Sequence, residues 1–214
     1  MGVTGPVGSG KSSVLMAILR ELPTISGTVS INGRVAYVPQ IPWVFSGTIR
    51  DNILFGRPFD NRRYFEVLDV CCMQADLNNF SKGDLTEIGH RGVSLSGGQR
   101  VRVSLARALY SDADIYLLDD PLSAVDAKVG KHLFENCICG FLSEKTRVLV
   151  THQMHYLTNI DNVIVLNEGA IAIDGICFHD DDRRSWNIAQ VCKNESDASM
   201  GASMSQPFQV FYNE

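Results

Sequence analysis

Long apolar runs are absent from this sequence, since none approaches the about 20 residues that a membrane-spanning helix needs. Dense clusters of lysine and arginine are absent too: 19 basic residues face 24 acidic ones, and the formal net charge is −5. A nucleic-acid-binding surface is therefore not expected. If the protein works at a membrane, another segment or subunit must do the spanning.

Zinc-binding patterns are also missing, because no spacing among the six cysteines fits one. These are Cys71, Cys72, Cys137, Cys139, Cys177 and Cys192. We expect reduced thiols rather than disulfides. The 214 residues, of which 45% are apolar and 20% charged, suffice for one globular domain with a core, with or without a small insertion.

The apolar pattern predicts an α/β fold with a mainly parallel sheet, because buried strands alternate with helices. The first helix should run from about Ser12 to Glu21 and be ended by Pro23. A later helix should span about 124–142. The predicted strands are 28–31, 35–38, 115–118 and 147–151, followed by a strand pair at 163–166 and 170–173.

Between two sheet segments, residues of about 43–113 read as mostly helical and form a predicted helical subdomain, whose last helix runs from Ser96-Gly97-Gly98 to about Tyr110. We expect one domain at 1–176 and a divergent, disordered tail at 177–214. Only four residues precede Gly5, which we take as too few for the strand that should feed the following loop. We therefore expect a fragment or an imperfect gene model rather than a genuine short protein.

A phosphate-binding loop is predicted near the start of the chain, where the sequence fits G-x-x-x-x-G-K-[ST]. Glycines let successive N–H groups turn inward onto phosphate oxygens, and the following helix adds its positive end. Lys11 supplies a full charge, and the Ser12 hydroxyl suits Mg²⁺. The predicted nucleotide-binding residues are Gly5, Pro6, Val7, Gly8, Ser9, Gly10, Lys11, Ser12, Ser13 and Gln40.

Two acidic residues, Asp119 and Asp120, follow an apolar run. Asp119 is suited to the metal, usually through water, although it could merely cap the turn before Pro121. Asp120 is placed as the general base for water attacking the γ-phosphate. An aspartate carboxylate lies roughly 1.5 Å further back than that of glutamate, and misplacement by about 1 Å can cost about a hundredfold in rate. We therefore expect slow hydrolysis.

Two further polar residues follow predicted strands. Gln40 could contact both the metal and the attacking water, while a lone glutamine would be an ordinary surface residue. His152 is well placed for the γ-phosphate if the strand ends at the site, whereas a lone histidine there is usually structural.

The stretch Leu95-Ser96-Gly97-Gly98-Gln99 begins a predicted helix and is a second anion site. A second phosphate-binding helix start is redundant within one site. It makes sense if it grips the nucleotide of a facing domain. A plain capped helix explains the same residues, and spacing alone does not decide between them.

Taken in order, these motifs resemble the nucleotide-binding domain of ATP-binding-cassette (ABC) transporters over about residues 5–175. The motifs are the phosphate loop, Gln40, 95–99, 115–120, Ser123-Ala124-Val125-Asp126 and His152. The amino-acid sequence of residues 42–56 and 116–126 is similar to that of the first nucleotide-binding domain of multidrug-resistance-associated exporters, which belong to subfamily C. The similarity is greatest to members that lack the extra amino-terminal membrane domain.

The resemblance implies a P-loop NTPase core with an inserted helical subdomain, ATP and Mg²⁺ as ligands, and a second nucleotide-binding domain and transmembrane domains as partners. Two such domains sandwich two ATP molecules head to tail and drive export of organic anions or drug conjugates, at the cytoplasmic face of a membrane. The implied roles are catalytic for Asp120, His152 and Gln40; metal-binding for Ser12, Gln40 and Asp119; and contact with the partner's nucleotide for Ser96, Gly97, Gly98, Gln99 and Asp126.

Residues Ile49 to Phe55 lie where family members contact the membrane domain, and ordinary packing of the helical subdomain is the alternative explanation. The chain departs from the family in two ways. The strand and the adenine-stacking aromatic residue expected before the loop are missing, and the segment after Gly175 does not resemble the family's carboxyl-terminal segment. Two alternatives stay open: a regulatory module that binds nucleotide without hydrolysing it, and a soluble ABC-type ATPase not involved in transport.

Overall fold

The computed structural model describes residues 1–89 and 92–176, so the predicted tail at 177–214 lies outside the described residues. The chain divides into two compact units. One comprises residues 1–32 together with the described residues from His152 onward, and the other comprises Gly33–Thr151. No helix within the described ranges is long and apolar enough to cross a bilayer.

Along the chain, short strands alternate with helices. In order, the elements are β1 (Gly2–Thr4), α1 (Lys11–Ile18), β2 (Val35–Val38), β3 (Gly47–Thr48), α2 (Ile49–Leu54), α3 (Asn61–Val70), α4 (Gln74–Asn78), a 3₁₀ turn (Gly83–Leu85), β4 (Glu87–Ile88), α5 (Gly97–Tyr110), β5 (Ile115–Asp119), α6 (Ala127–His132), a π-helical segment (Leu133–Phe141), β6 (Thr146–Val150), α7 (Met154–Leu157), β7 (Asn162–Asn167) and β8 (Ala170–Ile176).

In the first unit, β1 pairs in parallel with β7, and β7 pairs antiparallel with β8. Val3 lies opposite Ile164 in this ladder, and both side chains are buried. The β7–β8 hairpin turns at Glu168-Gly169, where both residues have positive φ. The core of this unit supports the loop between β1 and α1.

In the second unit, β5 lies between β2 and β6, and both pairings are parallel. All five residues of β5 are buried, which explains its unbroken apolar run, because helices cover both faces of most parallel sheets. The helices α2 to α5 occupy the stretch predicted to be helical, together with a two-residue antiparallel ladder of β3 and β4. That this stretch forms a separate subdomain stays a prediction.

The fold class is confirmed, with four local corrections. The first helix ends at Ile18 rather than at about Glu21, because Leu19 is its C-cap and Arg20 has positive φ. The four residues before Gly5 are enough for a strand, because β1 is fully buried and pairs with β7. Residues 28–31 form no strand; they are partly or fully exposed, and the Val29 carbonyl accepts a hydrogen bond from Arg20. The helix predicted from 124 begins only at Ala127, because the Asp126 side chain caps it by accepting from Val129 N–H.

Candidate nucleotide-binding site

The predicted phosphate loop connects β1 to α1, so a buried strand leads directly into it. Two of its glycines are required by the backbone. Gly5 has a φ of 144°, and a Cβ there would lie 2.1 Å from the carbonyl oxygen of Leu166. Gly10 has a φ of 96° and is the N-cap of α1. Larger residues cannot adopt this course without strain.

Lys11, the first residue of α1, is held inside the loop and is only 7% exposed. Its Nζ donates to the carbonyl oxygens of Pro6 at 2.7 Å and Gly5 at 3.0 Å. The Ser9 hydroxyl is also buried, yet it has no hydrogen-bond partner among the described residues. Because buried polar groups nearly always have partners, a phosphate oxygen fits beside the Ser9 hydroxyl and the Lys11 ammonium.

The second unit carries Asp119 and Asp120 at the carboxyl end of β5. They are 3% and 5% exposed. Asp120 has a φ of 47°, and its N–H donates to Val150 O at 3.0 Å. One of its carboxylate oxygens, Oδ1, is buried without a hydrogen-bond partner in the part of the chain that the structure describes. A buried acceptor of this kind is suited to take a hydrogen bond from a water molecule or a ligand.

Tyr37, on β2, contacts Asp119. Its hydroxyl donates to Asp119 Oδ2 at 3.3 Å. Burial first, and then the negative charge of Asp119 and the hydrogen bond to it, raise the pKa of Tyr37 to about 12, so the phenol remains a donor at neutral pH.

Gln40 is exposed and follows β2 by two residues. Because Val38 lies opposite Leu118, the parallel strands bring Gln40 and Asp120 to the same edge of the sheet. His152 is exposed and is the second residue after β6.

Helix α5 begins with a capping box, in which Ser96 and Gln99 each accept a hydrogen bond from the other's backbone N–H. The Ser96 hydroxyl accepts from Gln99 N–H at 3.2 Å, and the Gln99 side chain accepts from Ser96 N–H at 2.9 Å. Ser96 and Gly97 are exposed, while Leu95 is buried beneath them. The N-terminus of a long helix is therefore presented to solvent.

Asp76 anchors this helix start. It accepts from Gln99 Nε2 at 3.1 Å and from both Arg102 Nε and Nη2, at 2.9 and 2.6 Å. Both Arg102 bonds go to the same oxygen, Asp76 Oδ2, and they are strong because both partners are charged. Asp76 fixes the side chain of Gln99 and with it the capping geometry at Ser96.

Gly98 lies against the segment that follows β5. A Cβ on Gly98 would be 3.3 Å from Ala124 O and 3.7 Å from the Val125 side chain. Asp126, predicted to contact a nucleotide, is exposed and caps α6. The structure thus brings the Ser96 segment and the residues before Asp126 together.

The predicted residues fall into sets that the fold positions separately. Residues 5–13 form the loop and the first turn of α1 in the first unit. In the second unit, Gln40 lies at the same sheet edge as Asp119 and Asp120, and Gly98 lies beside Ala124 and Val125. Sequence reasoning missed Tyr37. The available signal was a tyrosine on the strand that leads to Gln40, at a position whose neighbours on the strand are apolar.

The types of donor fit Mg²⁺, which prefers hard oxygen ligands such as hydroxyl, amide and carboxylate oxygens. The first unit carries Ser12 and the second carries Gln40 and Asp119, whose carboxylate accepts a hydrogen bond from Tyr37. A phosphate loop feeding a helix, with acidic residues at the end of a buried parallel strand, defines a P-loop nucleotide-binding protein.

The chain belongs to the ABC transporter family, whose model matches residues 1–123. It is 58% identical over 175 residues to "ATP-binding cassette sub-family C member 4" of Mus musculus, covering 82% of this chain and 13% of that protein. It is 52% identical over 210 residues to "Multidrug resistance protein mrp-7" of Caenorhabditis elegans, covering 96% and 14%. It is 54% identical over 177 residues to "ATP-binding cassette sub-family C member 2" of Homo sapiens, covering 82% and 12%.

The chain spans 12–14% of the lengths of these three relatives. The identification as an ABC nucleotide-binding domain of the subfamily C type is confirmed, and with it the predicted class of enzyme, an ABC-type ATPase. Its assignment as the first of two such domains stays a prediction.

Proposed function

We propose that this chain is an ATP-binding domain of an exporter and that it supplies complementary halves of two ATP sites. The observation that carries the proposal is the buried Lys11 inside a glycine-shaped loop at the start of α1. Its own half-site consists of residues 5–13 with Gln40, and it binds the phosphates of ATP.

At this half-site, Ser12, Gln40 and Asp119 would hold Mg²⁺, which neutralises charge on the β- and γ-phosphates when bound. Gln40 and His152 contact the attacking water and the γ-phosphate. Asp120 accepts the proton of that water, and its buried Oδ1 without a partner supports this role.

Hydrolysis at this half-site is slow in our proposal, because Asp120 is one methylene too short to reach the water well. A second candidate follows from the same residue. If Asp120 is too far back to act as a base at all, the domain binds ATP to close the pair and leaves hydrolysis to the partner's site.

The other half-site is Ser96, Gly97, Gly98 and Gln99, with Asp126, which directly follows the residues packed against Gly98. We infer that it binds the γ-phosphate of an ATP held by a second nucleotide-binding domain. Support comes from the exposure of Ser96 and Gly97 at the start of a 14-residue helix. A site facing solvent can serve a partner, which a buried helix start could not.

Transmembrane domains are the further partners that we propose, with export of organic anions or drug conjugates as the coupled work and the cytoplasmic face of a membrane as the location. The description of the matched family supports a transporter, and the names of the relatives give no particular cargo. The segment from Ile49 to Phe55 is our proposed contact with the membrane part. The rings of Trp43 and Phe55 support this, because they meet edge to face while being 46% and 49% exposed.

Substitution of Lys11 tests the proposal. Lys11→Ala should abolish binding of a fluorescent ATP analogue to the chain, because the positive charge that contacts the phosphates is lost. Lys128→Ala, at an exposed position on α6, is the matched control and should bind normally. Unchanged affinity in Lys11→Ala, with the fold intact by circular dichroism, would refute the phosphate-loop assignment.

A further inference from the structure

Tyr37 and Asp119 share one face of two neighbouring strands. In the parallel pairing of β2 and β5, Tyr37 lies opposite Leu117, and Asp119 is two residues further along β5. Side chains separated by two residues on a strand point to the same face, so a long side chain can reach this diagonal neighbour. The phenol does so, and its oxygen lies 3.3 Å from Asp119 Oδ2.

The arrangement places a hydrogen-bond donor on one carboxylate oxygen of Asp119. Oδ2 accepts from the Tyr37 hydroxyl, and the whole residue is 3% exposed. A hydrogen bond to one oxygen fixes the rotation of the carboxylate about its terminal torsion, which is otherwise broad. Groups that orient a metal ligand in this way contribute to metal affinity without touching the ion.

We propose that Tyr37 is a positioning residue for the divalent cation, acting through Asp119. This inference rests on the proposed function, in which Asp119 holds Mg²⁺ at the nucleotide. Tyr37 contributes nothing to the phosphate loop itself in this proposal. Its removal should therefore weaken the metal-dependent part of nucleotide binding and leave the metal-free part unchanged.

The experiment measures binding of a fluorescent ATP analogue to the full chain in EDTA and over a titration of Mg²⁺. Tyr37→Phe keeps the ring and removes only the hydroxyl. We expect it to raise the Mg²⁺ concentration at half-maximal enhancement by about tenfold, with unchanged affinity in EDTA. Tyr116→Phe is the matched control, since its buried hydroxyl accepts from Ala113 N–H and lies outside the proposed site. It should leave the Mg²⁺ requirement unchanged.

Two further variants separate positioning from general damage to the fold. Asp119→Asn should raise the Mg²⁺ requirement, and the double variant Tyr37→Phe/Asp119→Asn should match Asp119→Asn alone, because Tyr37 acts only through the carboxylate. The rise in melting temperature on adding Mg²⁺ to ATP-bound protein is recorded for each variant. That difference within one sample reports metal binding even where a variant is less stable.

The outcomes distinguish the two claims. If Asp119→Asn raises the Mg²⁺ requirement and Tyr37→Phe does not, the role of Tyr37 is wrong and the proposed function stands. If the two effects add fully in the double variant, Tyr37 does not act through Asp119 and the inference is overturned. If Asp119→Asn changes nothing, the metal assignment in the proposed function is itself wrong.

Discussion

The guanidinium carbon of Arg107 lies 4.0 Å from the centroid of the Trp43 ring. The same guanidinium donates to the carbonyl oxygen of Asn52 at 2.7 Å and to its side-chain oxygen at 3.0 Å. Arg107 belongs to α5, whose other end carries the Ser96 segment, and Asn52 belongs to α2. One buried arginine therefore connects, by hydrogen bonds, the proposed membrane-contact region to the helix that we propose to bind a partner's nucleotide.

Replacing Arg107 by lysine should destabilise the fold by about 2 kcal/mol. Lysine keeps the charge, but it cannot lie over the Trp43 ring and donate to both oxygens of Asn52 at once. Urea denaturation of the chain measures the change. Arg100→Lys, at an exposed position on the same helix, should change stability by less than about 0.5 kcal/mol. Equal stability of the two variants would contradict the proposed connection.

Asp76 should matter more than its neighbour Asp69, although both are acidic residues in the same region. Asp76→Asn removes the negative charge of the carboxylate to which Arg102 and Gln99 donate. It should lower the free energy of unfolding by about 2 kcal/mol. Asp69→Asn is the control, because Asp69 is exposed. The free energy of unfolding is measured for both variants. If Asp76→Asn leaves it nearly unchanged, the ion pair of Asp76 with Arg102 is not needed to hold the start of α5.

Two glycines of the phosphate loop should respond differently to alanine. Gly5→Ala places a Cβ 2.1 Å from Leu166 O at positive φ, and we expect a loss of about 3 kcal/mol. Gly8 also has positive φ, at 84°, but a Cβ there meets nothing within 4 Å. Gly8→Ala should therefore cost about 1 kcal/mol, the backbone strain alone. Thermal unfolding of both variants measures this, and equal losses would show that the contact with β7 does not matter.

Local features of this protein were predictable from sequence because they depend on neighbouring residues. The apolar run before Asp119 marks β5, and the serine at position 96 with glutamine three residues later marks the start of α5. The phosphate loop is equally local, since eight consecutive residues define it.

Features that depend on distant partners were not predictable. Strand β1 is only three residues long and exists because β7, about 160 residues later, pairs with it. The contact of Tyr37 with Asp119 requires the register of β2 on β5, which no local pattern specifies. The same holds for Arg107 and Asn52, which are 55 residues apart.

Lengthening Asp120 should speed the chemistry at this site. In a complete transporter, Asp120→Glu moves the carboxylate forward by about 1.5 Å, and we expect turnover at this site to rise at least about tenfold. Asp120→Asn keeps the shape and removes the base, so it should not exceed the natural chain. Phosphate release per transporter measures both. No gain in Asp120→Glu would mean that the short side chain is not the limiting defect.

Ser96 should act on the partner's ATP rather than on the ATP held by this chain. Ser96→Ala removes both the cap of α5 and a hydroxyl from the exposed helix start. In a complete transporter, hydrolysis of the nucleotide held by the partner domain should fall at least about tenfold, the order of effect of a lost transition-state donor. Binding of ATP to the loop of this chain should stay within about twofold, because that loop is built from other residues.

Asp60→Ala is the control variant for the effect of losing a helix cap without losing a nucleotide contact. Asp60 caps α3 by accepting from Arg63 N–H at 2.7 Å, so its removal should cost a similar stability, about 1 kcal/mol. It should leave both hydrolysis and binding unchanged, because Asp60 lies at the Tyr110 end of α5, where its N–H donates to the Tyr110 hydroxyl at 2.7 Å, and Ser96 is at the other end. A Ser96→Ala variant that impaired binding here and spared hydrolysis at the partner would contradict the composite site. Equal impairment by Asp60→Ala would assign the effect to stability instead.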